Sequence, residues 1–170
     1  MKKVIVYILG FIFLLVVVFL CLGIFVPTIE YTTTINIDKP RDTTWNVMRT
    51  RKDWIYGFKS LEPISGEPDH VGSKAKLTVV RDGRESTFES ELTGIKPPEM
   101  AATRLTNEML THEAVVHLSE SNGKTTVVSN EKITGSNLFF RSIFFLFKGS
   151  IVDISNKNFE ALKQAVESSQ

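Results

Sequence analysis

The stretch from Ser136 to Val166 limits the possible folds more than any other part of the sequence. Apolar residues recur there at helical spacing, which predicts one long helix with an apolar face along its whole length. Ser136 is the expected N-cap. The first turns, from Phe139 to Phe147, are apolar nearly all round, so they must be covered on more than one side. Three roles stay open for these phenylalanines: core packing, the wall of a ligand cavity, and contact with a membrane.

A second apolar run, Val4 to Val26, contains no charged residue and is ended by Pro27. As a helix with a rise of roughly 1.5 Å per residue it would be about 34 Å long, enough to cross a hydrocarbon core of about 30 Å. A cleaved signal peptide is the alternative. Its apolar region is normally shorter, at about 7–15 residues, and no Ala-x-Ala-like cleavage site precedes Glu30. The sequence therefore predicts an uncleaved amino-terminal transmembrane anchor in residues 1–27 and a folded domain in residues 28–170.

The charges near this run predict its orientation. Lys2 and Lys3 lie beside its amino end, whereas the first basic residue on the other side is Lys39. Because basic residues close to a span tend to stay in the cytoplasm, we expect a single-pass membrane protein. Its amino terminus would be cytoplasmic and its folded domain would lie on the extracytoplasmic side, in the periplasm or outside the cell.

The segment between the two apolar stretches consists mainly of predicted strands. Residues 30–38 alternate as a strand with one buried face. A short helix follows from Pro40 to near Thr50, and residues 53–58 are predicted to form a second short helix or a turn. Asp82-Gly83 and Asn122-Gly123 are hairpin turn signals. Six further strands are predicted at residues 61–65, 73–81, 85–95, 100–108, 110–119 and 124–134. An antiparallel sheet with its helices on one side is an α+β fold.

Several short motifs occur in a characteristic order along this domain. They are residues 35–45 (Ile-Asn-Ile-Asp-Lys-Pro-Arg-Asp-Thr-Thr-Trp), Asp53-Trp54, Val71-Gly72-Ser73 and residues 94–98 (Gly-Ile-Lys-Pro-Pro). In this order they resemble the polyketide cyclase/dehydrase branch of the START-like, helix-grip superfamily (SRPBCC). The resemblance covers roughly residues 30–167 and leaves out the amino-terminal anchor.

This resemblance implies a strongly curved antiparallel sheet of about seven strands wrapped on the long carboxy-terminal helix, with an apolar cavity between them. Members of the superfamily bind lipids, sterols, polyketides or other hydrophobic ligands, and a minority are enzymes. The motifs themselves specify caps, turns and packing, and none of them carries chemistry.

Strand alternation, together with the apolar turns of the last helix, gives a set of candidate cavity residues. Apolar or mildly polar side chains of this kind suit a hydrophobic molecule with one polar end, and they suit a solid core nearly as well. The candidates are Trp54, Phe58, Leu77, Val79, Ser86, Phe88, Ser90, Leu92, Val115, Phe140, Phe144 and Phe147.

Arg104 is a further candidate, and its position depends on the register of its strand. If Ala102 and Thr106 point inward, Arg104 does too, and its guanidinium could bind a ligand carboxylate or phosphate. The other register buries Thr103 and Leu105 and exposes Arg104. The sequence leaves both registers open.

Glu113 and His117 are the candidates for catalysis because they share one face of a predicted strand. On an inner face they could perform acid–base chemistry on a bound ketone, and on an outer face they would simply be solvated. The sequence contains no Gly-x-Ser-x-Gly motif and no phosphate-binding glycine loop. Its single cysteine, Cys21, lies in the apolar run. We therefore expect no cofactor and no metal.

Three functional hypotheses follow from these features. The first is a membrane-anchored binding module that holds a lipid or other hydrophobic small molecule between the sheet and the last helix. The second is a cyclase- or dehydratase-like enzyme that uses Glu113 and His117. The third is an interaction domain with a filled core. Nucleic acid is not an expected partner, since a formal net charge of +1 provides no attractive field for phosphates.

Overall fold

The structure is a computed structural model that describes residues 2–169, and within them the chain forms four helices and seven strands. In chain order these are α1 (Lys2–Phe25), β1 (Thr28–Ile37), α2 (Arg41–Thr50), β2 (Phe58–Ser65), β3 (Lys74–Arg81), β4 (Arg84–Lys96), β5 (Met100–Thr106), β6 (Leu110–Ser121), β7 (Lys124–Gly135), α3 (Leu138–Leu146) and α4 (Lys148–Glu167).

The strands form one antiparallel sheet in the order β1-β7-β6-β5-β4-β3-β2. Every strand from β2 to β6 pairs with the next along the chain, and β1 completes the sheet by pairing with β7. The turns at Asp82-Gly83 and Asn122-Gly123 have positive φ at all four residues, as two-residue hairpins require. The expected α+β fold, a seven-stranded antiparallel sheet with a long carboxy-terminal helix, is confirmed.

One half of the interior, which we call the closed half, is a solid apolar core. It lies where the carboxy-terminal part of α4 and the amphipathic α2 pack against the sheet. Its most deeply buried side chains have almost no exposure to solvent. They are Ile37, Val127, Leu162 and Val166, and Trp45, Leu118 and Phe159 surround them.

The opposite face of the sheet carries a row of charges of alternating sign, each directly opposite the next across neighbouring strands. The row consists of Glu30, Lys132, Glu113, Arg104, Glu91 and Lys74. Arg104 lies 3.1 Å from Glu113 and 3.6 Å from Glu91. Opposite charges at such positions stabilise strand pairing. This row identifies the outer face, and the residues of opposite parity form the inner face.

The predicted single last helix is wrong, because the chain breaks at Phe147 into α3 and α4. Asn137, rather than Ser136, caps α3, and its side chain accepts a hydrogen bond from the backbone N–H of Phe140 at 3.1 Å. The apolar first turns, for which three roles were left open, belong to α3, which packs along α1. Residues 53–58, predicted as a second short helix or a turn, form a series of turns leading into β2.

Candidate functional site: a buried carboxylate on the inner face

A cluster of polar side chains lies on the inner face, beside the closed half. Strands β1 and β7 place Tyr31 opposite Glu131 and Thr33 opposite Ser129. All four residues share the inward parity of the core residue Val127. β6 adds His112, and α4 adds Ser155 from the other side of the interior. We call these six residues the Glu131 cluster.

The Glu131 carboxylate is at the centre of this cluster, with a side chain only 5% exposed. Its Oε2 accepts a hydrogen bond from the Tyr31 hydroxyl at 2.8 Å and lies 2.9 Å from His112 Nε2. Its Oε1 accepts hydrogen bonds from Ser129 Oγ at 3.2 Å and from Ser155 Oγ. An ionised carboxylate only accepts hydrogen bonds, so His112 carries a proton on Nε2. Two donors on each oxygen compensate the burial of the charge.

These contacts set the ionisation of the carboxylate. Burial alone raises the pKa of Glu131, but the hydrogen bonds from His112, Ser155 and Tyr31 outweigh it and hold the pKa below its ordinary value. Burial and the neighbouring negative charge of Glu131 raise the pKa of the Tyr31 hydroxyl. At neutral pH the cluster therefore holds a carboxylate anion and a protonated tyrosine that donates to it.

His112 is the member of the cluster that could contact a molecule bound in the interior. Its side chain is 22% exposed, far more than the carboxylate that it contacts. Because Nε2 is used by Glu131, Nδ1 is the ring nitrogen left to meet a bound molecule. In the neutral ring with Nε2 protonated, Nδ1 is a hydrogen-bond acceptor.

Next to the cluster, the inner face of β4 and β5 is only partly covered. Register places Phe88, Ser90 and Leu92 on this face, together with Thr103 and Leu105 of β5. All five are half-buried, whereas Leu77 and Val79 farther along the face are buried. α4 packs close to β1 and α2, away from these central strands. We call this partly covered region the open half of the interior.

Several sequence-predicted cavity residues lie at positions that could line the open half. Leu77, Val79, Ser86, Phe88, Ser90 and Leu92 all lie on the inner face, as alternation predicted. Trp54 is partly buried against the closed half, and Phe58 is half-buried at the start of β2. Their contact with a ligand stays a prediction.

Two predicted cavity residues, Arg104 and Val115, lie on the outer face instead. Arg104 pairs there with Glu91 and Glu113, so the register that exposes it is the one the protein adopts. Val115 is opposite the exposed Asn130 of β7 and shares its outward parity. Neither residue can line the space between the sheet and α4.

Glu113 and His117 are also on the outer face, which removes them as catalytic candidates. The Glu113 side chain is 43% exposed and is held by Arg104, and His117 is exposed. Strand alternation correctly predicted that the two residues share one face, and that face is the solvated side of the sheet. The inward histidine of β6 is His112.

The phenylalanines of the last apolar stretch belong mainly to α3. Phe140 and Phe144 stack on each other with ring centroids 6.0 Å apart, and Phe139 meets Phe19 of α1 edge to face at 5.7 Å. Phe147 lies at the junction of α3 and α4 and is 57% exposed. Phe147 therefore does not line the interior, while a lining role for Phe140 and Phe144 stays a prediction.

The outer face contains an open groove of about 570 Å³, bordered by the charged side chains of Glu30, Glu113 and Lys132. Its floor is the backbone of the central strands, because residues such as Glu131 and Ala114 point their side chains to the other face. A charged, solvated groove of this kind does not suit a hydrophobic ligand.

Sequence reasoning missed the central residue of the cluster, Glu131, although a signal for it was present. Position 131 falls in the row of β7 that also contains Val127, Ser129 and Ile133, so a charged residue interrupts an otherwise inward-facing row. In the strand predicted over residues 30–38, Tyr31 and Thr33 share one face with Ile35 and Ile37. A carboxylate at a core position requires hydrogen-bonding partners, and these hydroxyls supply part of them.

No protein-family model matches the sequence, and no curated protein matches it significantly. Solved structures do match it in fold. The Zhui aromatase/cyclase from Streptomyces sp. R1128 has a TM-score of 0.68 at 14% identity and covers 82% of this chain and 94% of its own. The ginseng major latex-like protein 151 from Panax ginseng has a TM-score of 0.63 at 14% identity, covering 81% and 97% respectively.

A protein of unknown function from Staphylococcus aureus is similar in the same way, with a TM-score of 0.62 at 12% identity, covering 83% of this chain and 96% of its own. The structural similarity establishes the fold, and sequence identities this low leave the activity open. The resemblance seen in the sequence motifs is confirmed at that level: the chain has the helix-grip fold.

Proposed function

We propose that the protein is a membrane-tethered binding module that holds a hydrophobic small molecule with one polar end in the open half of its interior. The observation that carries this proposal is the Glu131 cluster beside half-buried apolar side chains of β4 and β5. Small-molecule sites are typically apolar surfaces with a few well-placed polar groups. Here Phe88, Leu92 and Leu105 would supply the apolar surface, and His112 would supply the polar contact.

The chemistry of His112 narrows the class of ligand. Glu131 accepts the hydrogen bond from Nε2, so a neutral ring would offer Nδ1 as an acceptor to the interior. The Tyr31 hydroxyl already donates to Glu131. The proposed ligand therefore has an apolar body and, at one end, a polar group that hydrogen-bonds to Nδ1 of His112.

The proposed tether is α1, which is long and apolar enough to cross a membrane and is exposed along its length except in the last turns, where it packs against α3. A signal sequence has the same length and composition, so this part is a proposal as well. Only residues 26 and 27 separate α1 from β1. Such a short linker would hold the domain next to the bilayer and raise its effective concentration toward a membrane-derived ligand.

Native mass spectrometry of the full-length protein, extracted from membranes in mild detergent, tests this proposal. We expect an apolar molecule to co-purify with the wild type. Ser90→Trp, on the inner face of β4, should abolish that adduct while the protein stays folded. Thr87→Trp, on the exposed outer face of the same strand, is the matched control and should keep the adduct.

A filled interior would give a different result. The indole of Ser90→Trp would then overpack the core and lower the free energy of unfolding by about 1–3 kcal/mol. That loss, together with a wild-type protein that carries no adduct, would contradict a binding role.

Acid–base catalysis by His112 is a second candidate, because a buried carboxylate 2.9 Å away would fix its tautomer and orient its ring. The fate of the co-purified molecule separates the two functions. An enzyme would convert it during incubation into a product with a different mass or chromatographic retention time, and His112→Gln would prevent the conversion. A binding module would release the molecule with both properties unchanged.

A further inference from the structure

We propose that α3 is a second membrane element, lying in the same leaflet as the carboxyl end of α1 with its exposed phenylalanines against lipid. This inference rests on the proposed anchoring by α1 and extends it, because it makes the lipid bilayer a direct partner of the folded domain. The partner is the apolar part of the leaflet near its headgroups.

The first observation is the close contact between α1 and α3. The backbone N–H of Gly23 donates to Ser142 Oγ at 3.0 Å, and a Cβ at Gly23 would lie 2.5 Å from the carbonyl oxygen of Leu138. Ser142 is completely buried in this contact. Phe19 and Phe139 add an edge-to-face contact. Small residues that allow close approach and a hydroxyl that bonds across the interface are typical of helix packing in membranes.

The second observation is the depth of this contact along α1. The helix ends at Phe25, and with a rise of about 1.5 Å per residue Gly23 lies about 3 Å and Phe19 about 9 Å from that end. If α1 crosses the bilayer, these residues lie between the headgroups and the acyl chains of one leaflet. Since α3 packs alongside them, it lies at the same depth.

The third observation is the exposed apolar surface of α3 itself. Phe139, Phe145, Leu146 and Phe147 are all exposed in the part of the chain that the structure describes, and Leu146 and Phe147 are each 57% exposed. α3 has no acidic residue, its one charged residue is Arg141, and Lys148 follows at its carboxyl end. Aromatic and aliphatic side chains flanked by basic residues are typical of helices that lie in the membrane interface.

Depth and composition together favour lipid over a second copy of the chain as the occupant of this surface. A partner in the aqueous phase would have to reach a surface that begins at the last turns of the span. Lipid is already present at that depth. Because α3 packs directly against the last turns of α1, its exposed side chains would meet acyl chains without a protein partner.

This placement orients the domain. α4 begins at Lys148, directly after α3, and Ser155 of the Glu131 cluster follows about two turns later. Leu162 and Val166 of the closed half are farther along the same helix. The Glu131 cluster would therefore lie at the membrane end of the interior, and the closed half at the end away from the membrane.

Site-directed spin labelling of the full-length protein in phosphatidylcholine vesicles tests the proposal. In a Cys21→Ser background, single nitroxide labels would be placed through Ile12→Cys in the span, Leu146→Cys on α3 and Ile64→Cys on β2. Ile64 is an exposed apolar residue at the sheet edge opposite β1, which makes it the matched aqueous control. Collision with oxygen and with a water-soluble nickel chelate would be measured at each site.

We expect the labels at Ile12 and Leu146 to collide with oxygen more than with nickel, and the label at Ile64 to show the reverse. A lipid-exposed Ile12 with a water-exposed Leu146 would overturn the α3 proposal and leave the anchor intact. A Leu146 label shielded from both reagents would also overturn it, since a protein partner would then cover α3. A water-exposed Ile12 would instead overturn the proposed anchoring itself.

Discussion

Replacing Ser155 with alanine isolates the contact between the buried carboxylate and α4. Ser155 is 3% exposed and Glu131 is 6% exposed, so water does not readily replace the lost hydroxyl. A hydrogen bond to a charged group contributes about 1.5–3 kcal/mol. Thr33 also loses its partner at 3.2 Å. We therefore expect Ser155→Ala to lower the free energy of unfolding by about 2–3 kcal/mol near neutral pH.

The pH dependence of this loss is a more specific part of the prediction. The pKa of Glu131 is lowered in the folded protein, with burial opposing the change and the hydrogen bonds from His112, Ser155 and Tyr31 outweighing it. Its stabilising contribution is therefore present above its ordinary pKa of 4.5 and is lost as the pH falls through the lower, folded value. The difference between wild type and Ser155→Ala should be full at neutral pH and should shrink below pH 4.5.

Urea unfolding of the full-length protein in detergent, followed by the fluorescence of Trp45 and Trp54 in and beside the core, measures both effects. Ser150→Ala is the matched control, because Ser150 lies on the same helix but is exposed, and it should change the stability by no more than about 0.5 kcal/mol. Equal stabilities of the two variants at neutral pH would refute the buried contact. A Ser155→Ala deficit that stayed constant in acid would refute the role of the ionised carboxylate.

Three further predictions use the same unfolding assay. The raised pKa of Tyr31 means that wild-type stability is lost as the pH rises above its ordinary value of 10.0, and Tyr31→Phe should remove that loss while costing about 1–2 kcal/mol at neutral pH. Leu162→Ala, at a fully buried site of the closed half, should cost about 2–5 kcal/mol. Arg104→Ala should cost no more than about 1 kcal/mol, because its ion pairs lie on the solvated outer face; a larger loss would contradict that placement.

The sequence predicted features that depend on neighbouring residues and missed those set by distant contacts. The turns at Asp82-Gly83 and Asn122-Gly123 demand positive φ locally, and both hairpins formed there. The alternation of β6 separated His112 from Glu113 correctly. It could not say which of them faces inward, because pairing with β5 and β7 decides that.

The break at Phe147 was missed for a similar reason. The apolar spacing continues across it and outweighs the local helix-end signal, Lys148-Gly149, that directly follows α3. The contact between Gly23 and Ser142 holds α3 along α1, whereas Leu162 and Val166 hold α4 in the core. The partners of α3 and α4 are different and lie far away in the sequence. The apolar pattern of residues 136–166 alone therefore could not predict that this stretch is divided into two helices.

The arrangement of the two halves of the interior also limits the size of the proposed ligand. The closed half fills the interior on one side of His112, so an apolar body that starts at His112 on β6 and stays inside the interior would extend across the sheet. Strands are about 4.8 Å apart, and the buried Leu77 and Val79 of β3 lie three strands away from β6. Curvature of the sheet shortens that path. The length available across the sheet is therefore at most about 14 Å, which favours a compact or single-chain molecule over a two-chain phospholipid held wholly inside.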